Sequence, residues 1–296
     1  MVNITKTFGH VIANKSVTLE IKRGEILSLL GENGSGKTTL MNMLSGIYYP
    51  DSGEIYVDGK KVSIRSPKDA YALKIGMIHQ HFKLIDVFTA AENIVLGQET
   101  DKKLTKKQIA AKIKEICDKY GFDVDPDQKV YNMSISQKQT LEIVKVLYRG
   151  ADILILDEPT AVLTPQETEK LFGVIRRMRD HGHAIVIITH KLHEVLTVSD
   201  RVAILRKGEF VGSVKTSEAT ELSLTEMMVG RKVELAIERP EPVNPVKRLE
   251  VRNLTVVNSD GLKALDNVNF DLYSGEILGI AGIAGCGQKE LLEAIA

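Results

Sequence analysis

The sequence predicts an α/β fold in which a sheet of buried strands carries helices on both faces. Three observations carry that prediction. Short apolar runs alternate with segments of helical periodicity. A glycine-rich loop stands between one such run and a helix, and another run ends in two adjacent acids.

In chain order, Glu25 to Leu30, Ile75 to Ile78, Ile153 to Leu156 and Ile185 to Ile188 are apolar runs of strand length. Runs of this kind suit strands buried on both faces, as in a parallel sheet. Between them, Lys106 to Tyr120 places Ile109, Ile113, Ile116 and Tyr120 at helical spacing. Thr105 and Gln108 form a capping box in front of that helix, and Gly121 stops it. Its lysines (Lys106, Lys107, Lys112 and Lys114) read as a solvated face. Thr164-Pro165-Gln166-Glu167 makes a further helix start.

The 296 residues suit about two domains. Hydrophobic residues make up 43% and charged residues 26%, as in a globular protein rather than a disordered or fibrous one. Lys+Arg and Asp+Glu are both 39, and this balance argues against nucleic acid as the main partner. The two cysteines, Cys117 and Cys286, lie far apart without metal-ligand spacing, which excludes a disulfide framework or structural zinc site. No basic region followed by an apolar run opens the chain, and the longest apolar runs fall far short of the ~18 residues that span a bilayer. A cytosolic chain is expected.

After Arg231 the composition changes. Pro240, Pro242 and Pro245 cluster in a segment of little periodicity, so 233–247 reads as a linker that closes a first domain, 1–232. Beyond it the sequence repeats itself. Val17 to Leu27 matches Val268 to Leu278 in pattern, and Gly31, Gly34 and Gly36 match Gly282, Gly285 and Gly287, at a constant offset of 251. A second copy therefore begins near Arg248. The 49 residues from 248 to 296 cannot complete a copy whose first instance runs past residue 200, so a fragment of a two-domain protein is expected, with its front end also clipped.

Gly31-Glu32-Asn33-Gly34-Ser35-Gly36-Lys37-Thr38-Thr39 follows a strand and opens a helix, the setting a phosphate-binding loop requires. Its glycines let successive N–H groups turn inward toward phosphate oxygens. Lys37 supplies positive charge to β- and γ-phosphates, Thr38 a hydroxyl for Mg²⁺, and the helix its N-terminal dipole. Ile153 to Leu156 delivers Asp157 and Glu158 to the sheet edge where ligands of α/β folds bind. Asp157 is placed to hold Mg²⁺ through water and Glu158 to polarise an attacking water. His190, ending the run Ile187-Ile188-Thr189, can donate to the γ-phosphate. His181 and His183 lie in a loop and receive no chemistry.

These motifs, with Gln80 after a strand and Met133-Ser134-Ile135-Ser136-Gln137, come in the order and spacing of an ABC-type ATPase, which the chain resembles over nearly its whole length. Met77 to Leu84, Ala91 to Gly97 and Leu154 to Glu167 are similar to the duplicated ATP-binding subunits of simple-sugar and nucleoside importers, and closest to the nucleoside branch. The resemblance implies a P-loop NTPase with a mixed β-sheet core and a helical subdomain at about 86–147 that touches the membrane subunit. It implies ATP and Mg²⁺ as cofactors. Phe8 takes the place of the aromatic that stacks on adenine, Gln80 senses the γ-phosphate and Mg²⁺, and Ser134 contacts nucleotide held by a partner domain. The implied partners are integral membrane permease subunits, the missing second ABC domain or a dimer partner and, indirectly, an extracellular substrate-binding lipoprotein. The implied location is the cytoplasmic face of the cell membrane.

The chain departs from the pattern in places. Ile135 and Ser136 stand where the signature carries glycines, and Thr164 replaces an aspartate. In the second loop, Gln288 replaces the lysine and Lys289 the metal-binding hydroxyl. Because such domains pack head to tail, the altered signature of copy one faces the altered loop of copy two. One competent and one degenerate site are expected in the full protein. The rival readings are a sugar (ribose or galactose) importer ATPase, a tandem-ABC ribosome-associated translation factor, a DNA-end ATPase and a noncatalytic binding module. The short proline-bearing linker and the lack of heptads between Lys37 and Asp157 argue against the translation factor and the DNA-end ATPase respectively.

Overall fold

The computed structural model describes residues 1–98, 104–232, 242, 244–258, 261–282 and 285–296. The chain divides into two units, Met1–Val233 and Glu234–Ala296. Most of the expected linker, 233–247, lies outside the described residues.

In the first unit the order is β1 (Val2–Phe8), β2 (Val11–Val17), β3 (Ile26–Leu30), α1 (Lys37–Leu44), β4 (Ser52–Val57), β5 (Lys60–Val62), α2 (Pro67–Ala72), β6 (Ile75–Ile78), α3 (Ala90–Val95), α4 (Lys106–Tyr120) and α5 (Ile135–Tyr148). After these come β7 (Ile153–Asp157), α6 (Pro165–Asp180), β8 (Ala184–Ile188), α7 (Leu192–Val198), β9 (Arg201–Arg206), β10 (Glu209–Lys215) and α8 (Glu221–Val229). A six-stranded mixed sheet runs β10-β9-β3-β8-β7-β6, with only β10 antiparallel. A second, antiparallel sheet runs β2-β1-β4-β5.

The four apolar runs are β3, β6, β7 and β8, four of the five parallel strands, and alternate residues face opposite cores. Leu27, Leu29, Ile155, Val186 and Ile188 pack with Leu40, Met41 and Leu44 of α1 and with Ile4 and Ile55 of the second sheet. Ile26, Leu154, Leu156, Ile185 and Ile187 pack with Ile143 and Leu147 of α5 and Leu171, Phe172 and Ile175 of α6. Burial on both sides is why these strands show no polar alternation.

Helices α3, α4 and α5, in the segment expected as a helical subdomain, share a separate apolar cluster that includes Ala90, Ile94, Ile113, Val130, Leu141 and Val144. The capping boxes of Thr105 with Gln108 and Thr164 with Glu167 both form, and Gly121 takes the left-handed C-terminal position at φ 71°. Lys112 lies over the Tyr148 ring at 4.0 Å, so this lysine of α4 packs as well as facing solvent.

The second unit holds an antiparallel pair, β11 (Lys247–Val257) and β12 (Lys263–Tyr273), and helix α9 (Gln288–Ile295). The repeat places 277–281 where the first unit has β3, yet no strand forms there, and Ile277 is 77% exposed. The reason is pairing. β3 hydrogen-bonds between β8 and β9, and the described residues of the second unit form only the pair β11-β12, with no strand to flank this segment.

Candidate functional site

The carboxyl ends of β3, β7 and β8 come out side by side at one sheet edge, so the residues following each are delivered to a common place. After β3 the chain makes the glycine loop and enters α1. Gly36 caps that helix at φ 93°, and a Cβ there would run into the Ala13 carbonyl oxygen of β2, so only glycine fits. The loop leaves the first N–H groups of α1 without helical acceptors and facing outward. Lys37 is buried and donates to the carbonyls of Gly31 (2.7 Å) and Glu32 (2.9 Å). An ammonium has three donors, so one remains for the cleft. Burial lowers the Lys37 pKa, against the opposing pull of Glu158 and Asp157.

At the end of β7, Asp157 is buried beside Thr38. Burial raises its pKa; Thr38 and Lys37 oppose that shift, and Glu158 adds to it. Glu158 follows with φ 47°, a left-handed backbone uncommon for a residue with a side chain. Its N–H is held by the Ile188 carbonyl of β8 at 2.9 Å. That bond aims the carboxylate between two partners. Gln80 Nε2 donates to one oxygen at 3.3 Å, and His190 Nδ1 meets the other at 3.0 Å.

An open cleft of about 470 Å³ brings together Asn33, Gly34, Ser35, Gly36, Lys37, Thr38, Thr39, Gln80, Asp157, Glu158 and His190. Gly31 and Glu32 contribute the carbonyls that hold Lys37 rather than lining. A larger groove of about 560 Å³ opens beside Met1, Leu19 and Ile21, but its charged side chains pair with one another, Arg23 with Asp58 at 2.7 Å and Lys22 with Glu20 at 3.9 Å. In the smaller cleft the polar groups of the loop, the acidic pair, Gln80 and His190 converge on one space.

Two expected residues lie elsewhere. Phe8 does not line the cleft; its ring packs edge-on against Tyr48 at 5.1 Å and lies under the Lys6 ammonium. Ser134 caps α5, with its hydroxyl accepting from the Gln137 N–H at 3.2 Å, and does not line the cleft of its own unit.

Other residues that build the site were not singled out in the sequence. Val11 and Ile12, both exposed, supply an apolar wall to the cleft. Glu142, buried on α5, accepts from the Lys83 N–H, and Lys145 donates to the Lys83 carbonyl at 2.7 Å. The segment after Gln80 is thereby tied to the helix that Ser134 begins. Lys191 donates to the Thr160 carbonyl (3.0 Å) and to Glu194 (2.9 Å), clasping the segment after His190 to the one after Glu158. One signal was available: Glu142 interrupts the apolar run Leu141 to Val144, and a carboxylate there needs a partner.

The donor set fits a polyphosphate. Outward N–H groups, a cation and a hydroxyl surround the loop, and the buried Ser35 hydroxyl has no partner among the described residues. No group of three or more His, Cys, Asp or Glu side chains among the described residues could hold a metal. A magnesium ion near Thr38 and Asp157 would take its remaining ligands from phosphate and water, as that ion ordinarily does.

Comparison with known proteins agrees with this geometry. A family model described as ABC transporter matches residues 14–161. The nucleoside import ATP-binding protein NupA of Lactococcus lactis subsp. cremoris is 46% identical over 297 residues, covering 100% of this chain and 59% of that protein. The glucose import ATP-binding protein TsgD13 of Haloferax volcanii is 45% identical, with coverage of 100% and 59%. The guanosine import ATP-binding protein NupO of Bacillus subtilis is 44% identical, with coverage of 100% and 58%. The chain thus spans about three fifths of the length of these relatives. Among solved structures, the ADP conformation of MJ1267, an ATP-binding cassette of an ABC transporter, aligns with a TM-score of 0.68 at 23% identity. That alignment covers 77% of this chain and 95% of that one, a likeness of fold.

Proposed function

The chain belongs to the ABC transporter family, and from that premise we propose that it is the ATP-binding, ATP-hydrolysing part of a subunit that drives import of a nucleoside through a membrane permease. One observation carries the ATPase reading. The loop, the acidic pair, Gln80 and His190 come from four separate stretches of sequence and meet in one cleft. Phosphoryl transfer needs positioned donors, a counter-charge and an oriented water more than covalent chemistry, and this set supplies them.

The loop N–H groups and Lys37 bind and orient the phosphates. Thr38 and Asp157 would hold Mg²⁺, which when bound neutralises charge on the β- and γ-phosphates. Glu158 keeps free lone pairs on both oxygens while Gln80 and His190 fix its orientation, so it can accept a proton from an attacking water. His190 and Gln80 are thereby within reach of the γ-phosphate as well. Phe8, beside Val11 and Ile12 at the hairpin of β1 and β2, is assigned to the adenine end of the nucleotide, and Ser134 to nucleotide in an opposing domain.

Two glycines are replaced by Ile135 and Ser136, and the second loop carries Gln288 and Lys289. The longer protein then has one competent and one degenerate site. The chain alone should bind MgATP and hydrolyse it well below the ordinary ~1–10³ s⁻¹ of enzymes. Steady-state turnover within that range by the isolated chain would contradict this pairing.

The nucleoside reading draws on relatives at 46% and 44% identity, against 45% for a glucose importer, so identity alone does not separate the two. Uptake into vesicles holding the full-length protein, its permease and internal ATP separates them. Accumulation of labelled guanosine or adenosine supports the proposal; accumulation of glucose or ribose alone replaces it with the sugar reading. Among the described residues no helix is long and apolar enough to cross a membrane, which suits a peripheral subunit held by that permease at the cytoplasmic face.

A further inference from the structure

Beneath the phosphate loop lies a side chain that the reaction scheme does not use. Asn14 of β2 is fully buried, and its Nδ2 donates to the Gly36 carbonyl at 3.2 Å. That carbonyl already accepts the Leu40 N–H of α1 at 2.9 Å, so it carries two donors. The Asn14 Oδ1 is buried with no partner among the described residues. A buried amide with an unmatched acceptor is a worse fold-stabilising choice than an apolar residue of similar size.

The chain itself contains that apolar alternative. At the offset of 251, Asn14 corresponds to Leu265 and Gly36 to Gly287. The two glycines have the same backbone, φ 93° and ψ 6° against φ 93° and ψ 8°. Asn14 Nδ2 and Leu265 Cδ2 each stand 2.6 Å from where a Cβ on its glycine would be. Leucine therefore supports this loop geometry without help from an amide. The loop that has the amide is the one that also has Lys37; the loop that lacks it has Gln288.

We infer that Asn14 is a positioning residue for phosphate binding: its amide fixes and polarises the peptide group joining Gly36 to Lys37. The Gly36 carbonyl and the Lys37 N–H belong to that one peptide unit. A donor placed on the carbonyl draws electron density from the N–H, making it a stronger donor toward the cleft. The Lys37 N–H is among the unpaired donors of the first turn of α1, where a phosphate oxygen would be received. This rests on the nucleotide-binding reading above.

The test replaces Asn14 with its own internal counterpart. In the 296-residue chain, Asn14→Leu and Asn14→Ala are titrated with MgADP by calorimetry, alongside amide proton shifts for Lys37 and thermal melts without nucleotide. The expected result is about tenfold weaker MgADP binding in both variants, the loss of one hydrogen bond's contribution to a charged ligand. The Lys37 amide resonance should move upfield, while the melting temperature of Asn14→Leu stays at or above that of the parent. Unchanged MgADP affinity in both variants, with the parent binding, overturns the role of Asn14 and leaves the nucleotide site standing. Weaker binding matched by a lower melting temperature and an unmoved Lys37 resonance also overturns it, in favour of a purely structural role. A parent that binds no MgADP removes the nucleotide site and this inference together.

Discussion

The first glycine loop and its repeat share the backbone angles of the glycine that caps each helix and differ in chemistry. Gly36 and Gly287 have matching angles, each caps a helix of 8 residues, and each lies against a hairpin strand that would clash with any side chain there. Yet the first loop places a buried lysine, an amide-backed peptide and a threonine around the helix start, and the second places Gln288, Leu265 and Lys289. The loop shape comes from glycine and the strand beneath it. Binding chemistry is added separately by side chains, and one can be lost without the other.

The comparison breaks most visibly at the acid that stands beside the first loop. Glu158→Gln should retain MgATP binding and lose turnover by roughly 10²- to 10⁴-fold, the contribution of a positioned general base. Equal turnover in variant and parent, measured by phosphate release from the full-length protein with its permease, would remove Glu158 from that role. Next comes the cation. Lys37→Ala should weaken MgATP by about 100-fold, since a charged donor to phosphate is lost. The matching change in the other loop, Gln288→Ala, should alter affinity by less than about twofold, because no charged donor is lost there. Similar losses from both changes would mean that the two loops are not chemically distinct.

The smallest effect concerns the junction between α4 and the sheet. The Tyr120 hydroxyl and His183 Nε2 lie 2.7 Å apart in a buried contact, and burial lowers the His183 pKa. In the unfolded chain this histidine takes up a proton near the ordinary ~6.5, whereas the folded protein resists protonation until lower pH. Unfolded molecules therefore hold more protons over that interval, and stability falls as pH drops through about 6.5. His79 is shifted the same way by burial. His183→Gln should shrink, without abolishing, the drop in melting temperature between about pH 7.5 and about pH 5.5. An unchanged drop would assign the acid sensitivity to other groups.

Much of the fold was legible in the residues themselves. The four apolar runs became four of the five parallel strands because strands buried on both faces leave no polar alternation to confuse. Thr105, Thr164 and Gly121 act locally, so their capping roles can be read from sequence neighbours alone. The positions of Lys37, Asp157 and Glu158 come from strand ends that any parallel sheet brings to one edge. Asn14, Glu142 and Lys191 were not legible as site residues. Each works through a partner distant in sequence or on another loop (Gly36, Lys83 and Thr160) and only packing reveals the pairing. The absent strand at 277–281 shows the converse, since a strand sequence without its neighbours does not form one.

Calorimetric titration of MgATP into the 296-residue chain tests the central claim most directly. One molecule should bind per chain, and Lys37→Ala should remove the heat at concentrations that saturate the parent. No heat with folded parent protein, two molecules per chain, or an undiminished signal in Lys37→Ala would each contradict the assignment of the nucleotide to the first loop alone.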